Sequence, residues 1–233
     1  MREIMIRYIS ITAVLVVILG VFNFYGYIWY NSIFTLGYEV KGLDVSHHQG
    51  LIHWQQVKEE NKYQFVYIKA TEGKDFTDHR FVYNWREARK QNLLTGAYHF
   101  FSMQSSGKDQ AEHFKRTVPI MSNSLPPVID IEIALYHNKN KVQNNLKTMI
   151  DELEKTYKKK PILYVTYDTY HTYIKHTMAG YRIWIRDIYK YPSIDKENWT
   201  IWQYHNRGHV DGINAFVDIN VFQGSPSELL KLK

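Results

Sequence analysis

Apolar residues along this chain fall into three regimes. From Tyr8 to Tyr38 no charged residue occurs, and Ile9 to Trp29 (ISITAVLVVILGVFNFYGYIW) is long enough at about 1.5 Å per residue to cross a bilayer as a helix. From Lys41 onward, short apolar or alternating runs trade places with amphipathic stretches of helical period. Strands are expected at 41–46 (KGLDVS), 64–71, 94–101, 127–132 (PVIDIE) and 161–166, and helices at 54–60, 80–91, 106–117, 140–158 and near 168–176. After that the helices stop. Strands at 182–187, 200–204 and 216–221 follow one another with no helix between them.

Five strand-helix pairs argue a parallel sheet with right-handed crossovers, and eight strands argue that it closes. The expected fold class is α/β: an eight-stranded TIM-like barrel with five helices, (β/α)5(β)3, preceded by one transmembrane helix. The expected division is 1–38 for a cytoplasmic stub and signal-anchor helix, and 39–233 for a catalytic barrel.

Closure puts a functional site at the C-terminal ends of the strands, where the following loops gather. Asp130 and Glu132 end the fourth strand in PPVIDIE, two residues apart and so on one face, with Cα atoms roughly 6.6 Å apart. Asp44 sits toward the end of the first strand and Asp218 in the eighth. The first and last strands become neighbours when the barrel closes, and the fourth faces them across the mouth. Four acids therefore converge on one end, where like-charge repulsion and burial separate their roles.

The flanks of the apolar segment give its direction. Arg2 and Arg7 precede it, whereas the far side begins with Glu39 and has no cation before Lys41, so the positive-inside rule leaves the N-terminus in the cytoplasm and the rest outside. Phe22, Phe24, Tyr25, Tyr27, Trp29 and Tyr30 would then form an interfacial aromatic belt. The alternatives are a signal peptide that is cleaved, giving a secreted protein, and a buried core helix. The first lacks a small-x-small cleavage site, and the second is seldom so long and uncharged.

Arg2 and Arg7 offset Glu3 and Glu39, so the net charge of +6 lies wholly in residues 41–233 and suits an anionic surface such as cell-wall polymer. No nucleic-acid-binding motif accompanies it. The chain has no cysteine, which excludes disulfides, a thiol nucleophile and thiolate-bound metal. His47, His48 and His53 lack the spacing of a catalytic metal set, so neither metal nor cofactor is expected. No pattern sets an oligomeric state.

GLDVSHHQG (42–50), YIKATEG (67–73), GAYHFF (96–101), PPVIDIE (126–132), LYV (163–165), IWI (183–185), WQY (202–204) and VDIN (217–220) occur in an order and spacing that closely resemble the lysozymes of glycoside hydrolase family 25. The resemblance covers residues 41 to about 224. It implies an eight-stranded barrel with five helices that cleaves the β-1,4 bond between N-acetylmuramic acid and N-acetylglucosamine in peptidoglycan. Carried over by motif, the family's general acid falls on Glu132 and its partner carboxylate on Asp130, while Asp44 and Asp218 match its two other active-site acids. Paired histidines in SHHQG, and Arg186 where alanine is usual, depart from the pattern and bear on subsite contacts.

Such chemistry needs a proton for the leaving oxygen and negative charge near the developing oxocarbenium ion. The expectation is that Asp130 keeps its charge and raises the pKa of Glu132. The substrate's 2-acetamido oxygen would supply the nucleophile, with Asp130 or Asp218 orienting it; a direct carboxylate nucleophile is the other route. Tyr98, Tyr164, Trp184, Trp202 and Gln203 lie at motif positions and are expected either to contact the sugar or to pack in the core; Asn220, on the Asp218 face, is expected to contact substrate or to position Asp218, and Lys69 with Glu72 forms either a buried pair or a further contact. The expected partners are peptidoglycan glycan strands and, through the N-terminal helix, the membrane. Two rival functions are a glycan-binding protein without turnover and a chitinase-like glycosidase. Against the first stands an acid pair that a binder has no use for; against the second, apolar residues upstream of D-x-E.

Overall fold

The computed structural model describes residues 1–60 and 62–233. Among the described residues, nine strands form one sheet: β1 (Val40–Val45), β2 (Phe65–Glu72), β3 (Phe76–Thr77), β4 (Leu94–Phe100), β5 (Val128–Ile131), β6 (Ile162–Val165), β7 (Arg182–Arg186), β8 (Ile201–Val210) and β9 (Ile213–Phe222). Their order is β1-β9-β8-β7-β6-β5-β4-β2-β3, and β1 also pairs with β2. Eight strands thus close the barrel. The two-residue β3 folds back on the end of β2 outside it. Helices α2 (Trp54–Glu59), α3 (Phe81–Lys90), α4 (Gly107–Thr117), α5 (Lys139–Tyr157) and α6 (Tyr167–Thr169, continued as a π-turn to Ile174) are the five expected. The short α7 (Pro226–Leu230) was not foreseen.

Alternation sorts each strand into two faces. Outward residues such as Leu43, Val66, Ile68, Ile129, Ile131, Leu163 and Val165 pack with the helices as the outer core. Inward residues change character along the axis. At the base of the barrel, Val40, Phe65, Ile162 and Ile201 from the N-terminal ends of their strands and Phe222 from the C-terminal end of β9 fill the interior, sealed by Leu229 and Leu232 from the C-terminal segment. In the middle lie Tyr67, Val128, Tyr164 and Trp184.

Two glycines make room for this filling. A Cβ on Gly42 would lie 2.4 Å from the Phe65 ring, and one on Gly96 2.2 Å from the Tyr67 ring. Both rings are fully buried, so neither can swing out. Gly96→Val is expected to destabilise the fold by about 1–3 kcal/mol or more through overpacking. Thermal unfolding read by circular dichroism checks this, and an unchanged melting temperature would contradict the packing described.

Three features differ from the sequence reading. First, β9 runs antiparallel to both neighbours, β8 and β1, rather than completing a parallel barrel. The reason is local: Asp211-Gly212 turns the chain directly from β8 into β9, with Gly212 at φ +91°, leaving no length for a crossover. Second, these two strands extend through the polar stretch 205–215 and rise as a hairpin beyond the barrel rim, interrupted by register shifts.

Third, the apolar helix α1 spans Arg2–Phe24 and stops short of Trp29; none of its residues is buried. Gly26, at φ +77°, breaks it. Trp29, expected in an aromatic belt, stacks instead on His205 with ring centroids 4.4 Å apart, and its Nε1 donates to the Tyr204 carbonyl at 2.7 Å. A 3₁₀ helix, Tyr30–Thr35, follows. Its buried Asn31 donates from Nδ2 to the carbonyls of Asp187 and Tyr204, both at 3.1 Å. The chain therefore packs on the barrel from Trp29 onward, before the 38/39 division read from the sequence. It covers the flank of β8, where the outer helices are missing.

Candidate active site

The inward alternation that is apolar at the base becomes polar at the C-terminal ends of the strands. A cleft of about 380 Å³ opens there, and Asp44, Asp130, Glu132 and Asp218 all line it. Asp44 and Asp218 are direct cross-strand partners on β1 and β9. Asp130 and Glu132 share the inner face at the end of β5 with Val128 below them, while Ile129 and Ile131 point into the outer core. Tyr98, Tyr164, Trp184 and Gln203 line the cleft as expected.

Trp202 does not. It is fully buried on the outer face of β8, donates from Nε1 to the Asp187 carbonyl at 2.8 Å, and packs against Tyr191 and Trp199. Adjacent strand residues point to opposite faces, so Trp202 and Gln203 could not both reach the sugar. Asn220 is also absent from the cleft wall. It lies fully buried beneath it, accepting from Trp184 Nε1 at 2.9 Å and donating from Nδ2 to Asp44 Oδ2 at 2.7 Å. Its role is to hold Asp44 and Trp184 rather than a ligand.

Asn220→Ala is expected to leave the Trp184 N–H and an Asp44 oxygen unpaired, at a cost of about 1–3 kcal/mol. It also removes a hydrogen bond that favours the charged form of Asp44, moving that carboxyl still higher. Unfolding by denaturant and NMR titration of the Asp44 carboxyl check the two effects. Unchanged values in both would show that the contact does nothing.

Residues singled out only in passing turn out to matter. Lys69 is nearly buried and lines the cleft, its Nζ 2.7 Å from Glu72 Oε2 and 4.9 Å from the centre of the Phe100 ring. It is thus an ion-pair member and a wall of the cleft at once. Arg186 brings its Nε to 3.9 Å from Glu132 Oε1. Ser46, Phe100 and Asn206 line the cleft and were missed. Phe100 is two positions beyond Tyr98 on the same strand, so alternation alone could have found it; Asn206 sits on the hairpin extension, which the sequence pattern hid.

Charge is not evenly shared among the four acids. Burial pushes Asp44 well above the usual carboxylate range, helped by the charge of Asp218 and opposed by the Asn220 hydrogen bond. Asp130 is likewise pushed well above it, by burial first and then by Glu132 and Asp44, with Lys69 opposing. Its Oδ1 is buried with no partner among protein groups, as suits a neutral carboxyl. Asp218 rises to about 6 through burial, opposed by a Gln203 hydrogen bond and the Arg186 cation. Expected to keep its charge, Asp130 is instead a group that burial drives toward the neutral form. Glu132 differs in setting: its side chain is 36% exposed, with the Tyr164 hydroxyl at 3.4 Å. Tyr164 itself donates to Gln203, which ties the floor of the cleft together.

Of the three histidines weighed for metal, His47 places Nδ1 2.8 Å from Asp78 Oδ2, His48 lines the cleft, and His53 precedes α2. His47, Asp78 and His79, half-buried, buried and exposed in turn, offer ligand atoms within 4.8 Å of one another.

Residues 43–213 match the family model described as glycosyl hydrolases family 25. Among curated proteins, the chain is 37% identical over 215 residues to the uncharacterized protein YegX of Escherichia coli K12, covering 89% of this chain and 79% of that one. It is 34% identical over 213 residues to lysozyme M1 of Streptomyces globisporus, covering 83% and 71%. Among solved structures, a family 25 glycosyl hydrolase from Bacillus anthracis superposes with a TM-score of 0.79 at 43% identity, covering 83% of this chain and 93% of that one. A bacterial lysozyme from Streptomyces coelicolor superposes with a TM-score of 0.77 at 31% identity, covering 84% and 97%.

Proposed function

Because this chain belongs to glycosyl hydrolase family 25, we propose that it is a muramidase that hydrolyses the β-1,4 bond between N-acetylmuramic acid and N-acetylglucosamine in peptidoglycan. The observation that carries the reading is the gathering of Asp44, Asp130, Glu132 and Asp218 in one cleft of a barrel that resembles lysozymes. A basic barrel suits an anionic wall polymer.

In this reading Glu132 is the proton donor, because its side chain reaches the open cleft from the end of β5 and can meet a glycosidic oxygen. The 2-acetamido oxygen of the muramyl sugar attacks C1 as the C1–O bond breaks, and the Glu132 proton passes to the leaving oxygen. Water, deprotonated by the same carboxylate, then opens the cyclic intermediate. Asp218, with its carboxyl at about 6, is ionised at neutral pH and faces the positive charge that develops on the sugar. Asp130 presents its carboxyl to the acetamido group. The surrounding Tyr98, Tyr164 and Trp184 supply ring edges and hydroxyls for the sugar.

The same proposal has α1 crossing the plasma membrane with the N-terminus in the cytoplasm and the barrel on the wall side. An 18-residue window of α1 has a mean hydropathy of 2.4, and Arg2 and Arg7 flank its inner end.

Detergent-solubilised full-length protein incubated with purified peptidoglycan is the test. New reducing ends on muramic acid are expected. Reducing ends on N-acetylglucosamine alone, or none from walls of several species, would refute the assignment.

A further inference from the structure

The passage from α1 to the barrel has no slack. Tyr25 to Ile28 is all that separates the end of the apolar helix from Trp29, and both sides of that gap are tied to the β8–β9 hairpin. Arg207 donates to the Phe24 carbonyl, and His209 Nε2 donates to the Tyr25 carbonyl at 2.7 Å. Tyr27 stacks on His209, ring centroids 4.4 Å apart. Gly26 lies so close to the hairpin that a Cβ would sit 2.0 Å from the Arg207 carbonyl oxygen. These contacts make a bracket rather than a flexible tether.

Beside the bracket the barrel shows an apolar flank. Ile33 is 64% exposed, Phe34 49%, Leu36 84% and Tyr189 69%. Phe34 meets Tyr191 edge-on, and the Tyr30 hydroxyl donates to the Tyr189 carbonyl at 2.6 Å, so these side chains form one surface around the 3₁₀ helix. Large apolar and aromatic side chains at the end of a spanning helix are the chemistry of the lipid headgroup boundary. Ile33, Phe34 and Leu36 follow the last residue of α1, Phe24, within about a dozen positions, and the bracket keeps them from moving far from the end of α1.

Resting on the reading of α1 as a membrane anchor, we propose that the barrel is mounted directly on the outer lipid surface, with the flank bearing Ile33, Phe34, Leu36 and Tyr189 set into the headgroup region. The cleft is then held at a fixed height and tilt. The enzyme works on the glycan strands nearest the membrane, and cannot sweep the depth of the wall as a tethered enzyme would.

The chain has no native cysteine, so single-cysteine variants can carry an environment-sensitive fluorophore at one site each. Full-length Ile33→Cys, Leu36→Cys, Ile18→Cys in α1 and Lys147→Cys on α5 would be labelled and reconstituted in phosphatidylcholine–phosphatidylglycerol vesicles, with and without nitroxide lipids. The expected result is strong quenching at 18, quenching at 33 and 36 at least half as large, and none at 147. Quenching at 18 with full water exposure at 33 and 36 would overturn the mounting while leaving the anchor intact. Probes at 33 and 36 shielded from water yet unquenched would mean that a second protein surface covers the flank, which also overturns it. Equal quenching at 147 would reduce the effect to unspecific adhesion. No quenching at 18 would remove the anchor itself, and the mounting with it.

Discussion

Glu132→Gln is expected to lower kcat on peptidoglycan by about 10³-fold, within the range of about 10² to 10⁴ that a positioned general acid contributes. The amide keeps the size of the side chain and its place beside the Tyr164 hydroxyl, but it has no proton of suitable acidity for the leaving oxygen. Since the side chain is partly exposed and makes no buried ion pair at short range, the melting temperature should move little. The measurement is turnover on purified peptidoglycan by released reducing ends, paired with thermal unfolding. A variant that retains full activity would remove Glu132 from the mechanism. One that loses activity together with its fold would show that Glu132 is structural.

The second large effect concerns pH and stability. The carboxyl of Asp218 stands at about 6 in the folded protein against 3.8 without the fold. Between those values the native state holds a proton that the unfolded chain has released. Its contribution to stability is therefore fully present below about pH 4 and is lost as pH rises through about 6. At about 1.4 kcal/mol per unit, the loss is about 1–3 kcal/mol. Asp218→Asn removes this dependence and, by deleting a neighbouring charge, also brings Asp44 down toward its ordinary value. His99 and His205, pushed down to about 4 by burial, act with the opposite sign, losing stability as pH falls from about 6.5. The informative quantity is thus the difference between wild type and variant. The stability of wild type relative to Asp218→Asn should decline as pH rises from about 4 through about 6. A difference that is flat across that range would mean that Asp218 is not the buried acid described.

The strands that bear the acids were legible because side chains alternate along an extended chain, and alternation puts Asp130 with Glu132 and hides Ile129 with Ile131. The same rule should have separated Trp202 from Gln203. Motif position overrode it, and the residue that resembled a sugar platform proved to be the outer packing of β8. Asp211-Gly212 carried a plain turn signal, yet the polar residues around it hid the strands it joins. Asn220 could be assigned to the inner face, but whether it touched ligand or supported Asp44 depended on the depth of the cleft floor. The belt of aromatics at 22–30 looked like lipid contact throughout, whereas Trp29 turned out to be spoken for by His205 and Tyr204.

By itself the sequence determined the number of barrel strands, the long uncharged helix before them, and which four acids meet at the mouth, since each follows from local periodicity and chain order. Only the tertiary structure decided how those acids divide their charge and how the apolar helix joins the barrel. The proton affinity of Asp130 depends on its burial and on Glu132 and Asp44 beside it, neighbours that only the closed barrel supplies. The junction depends on contacts between residues more than 150 positions apart, from Phe24 to Arg207 and Trp29 to Tyr204, and no pattern along the chain encodes a meeting that only folding brings about.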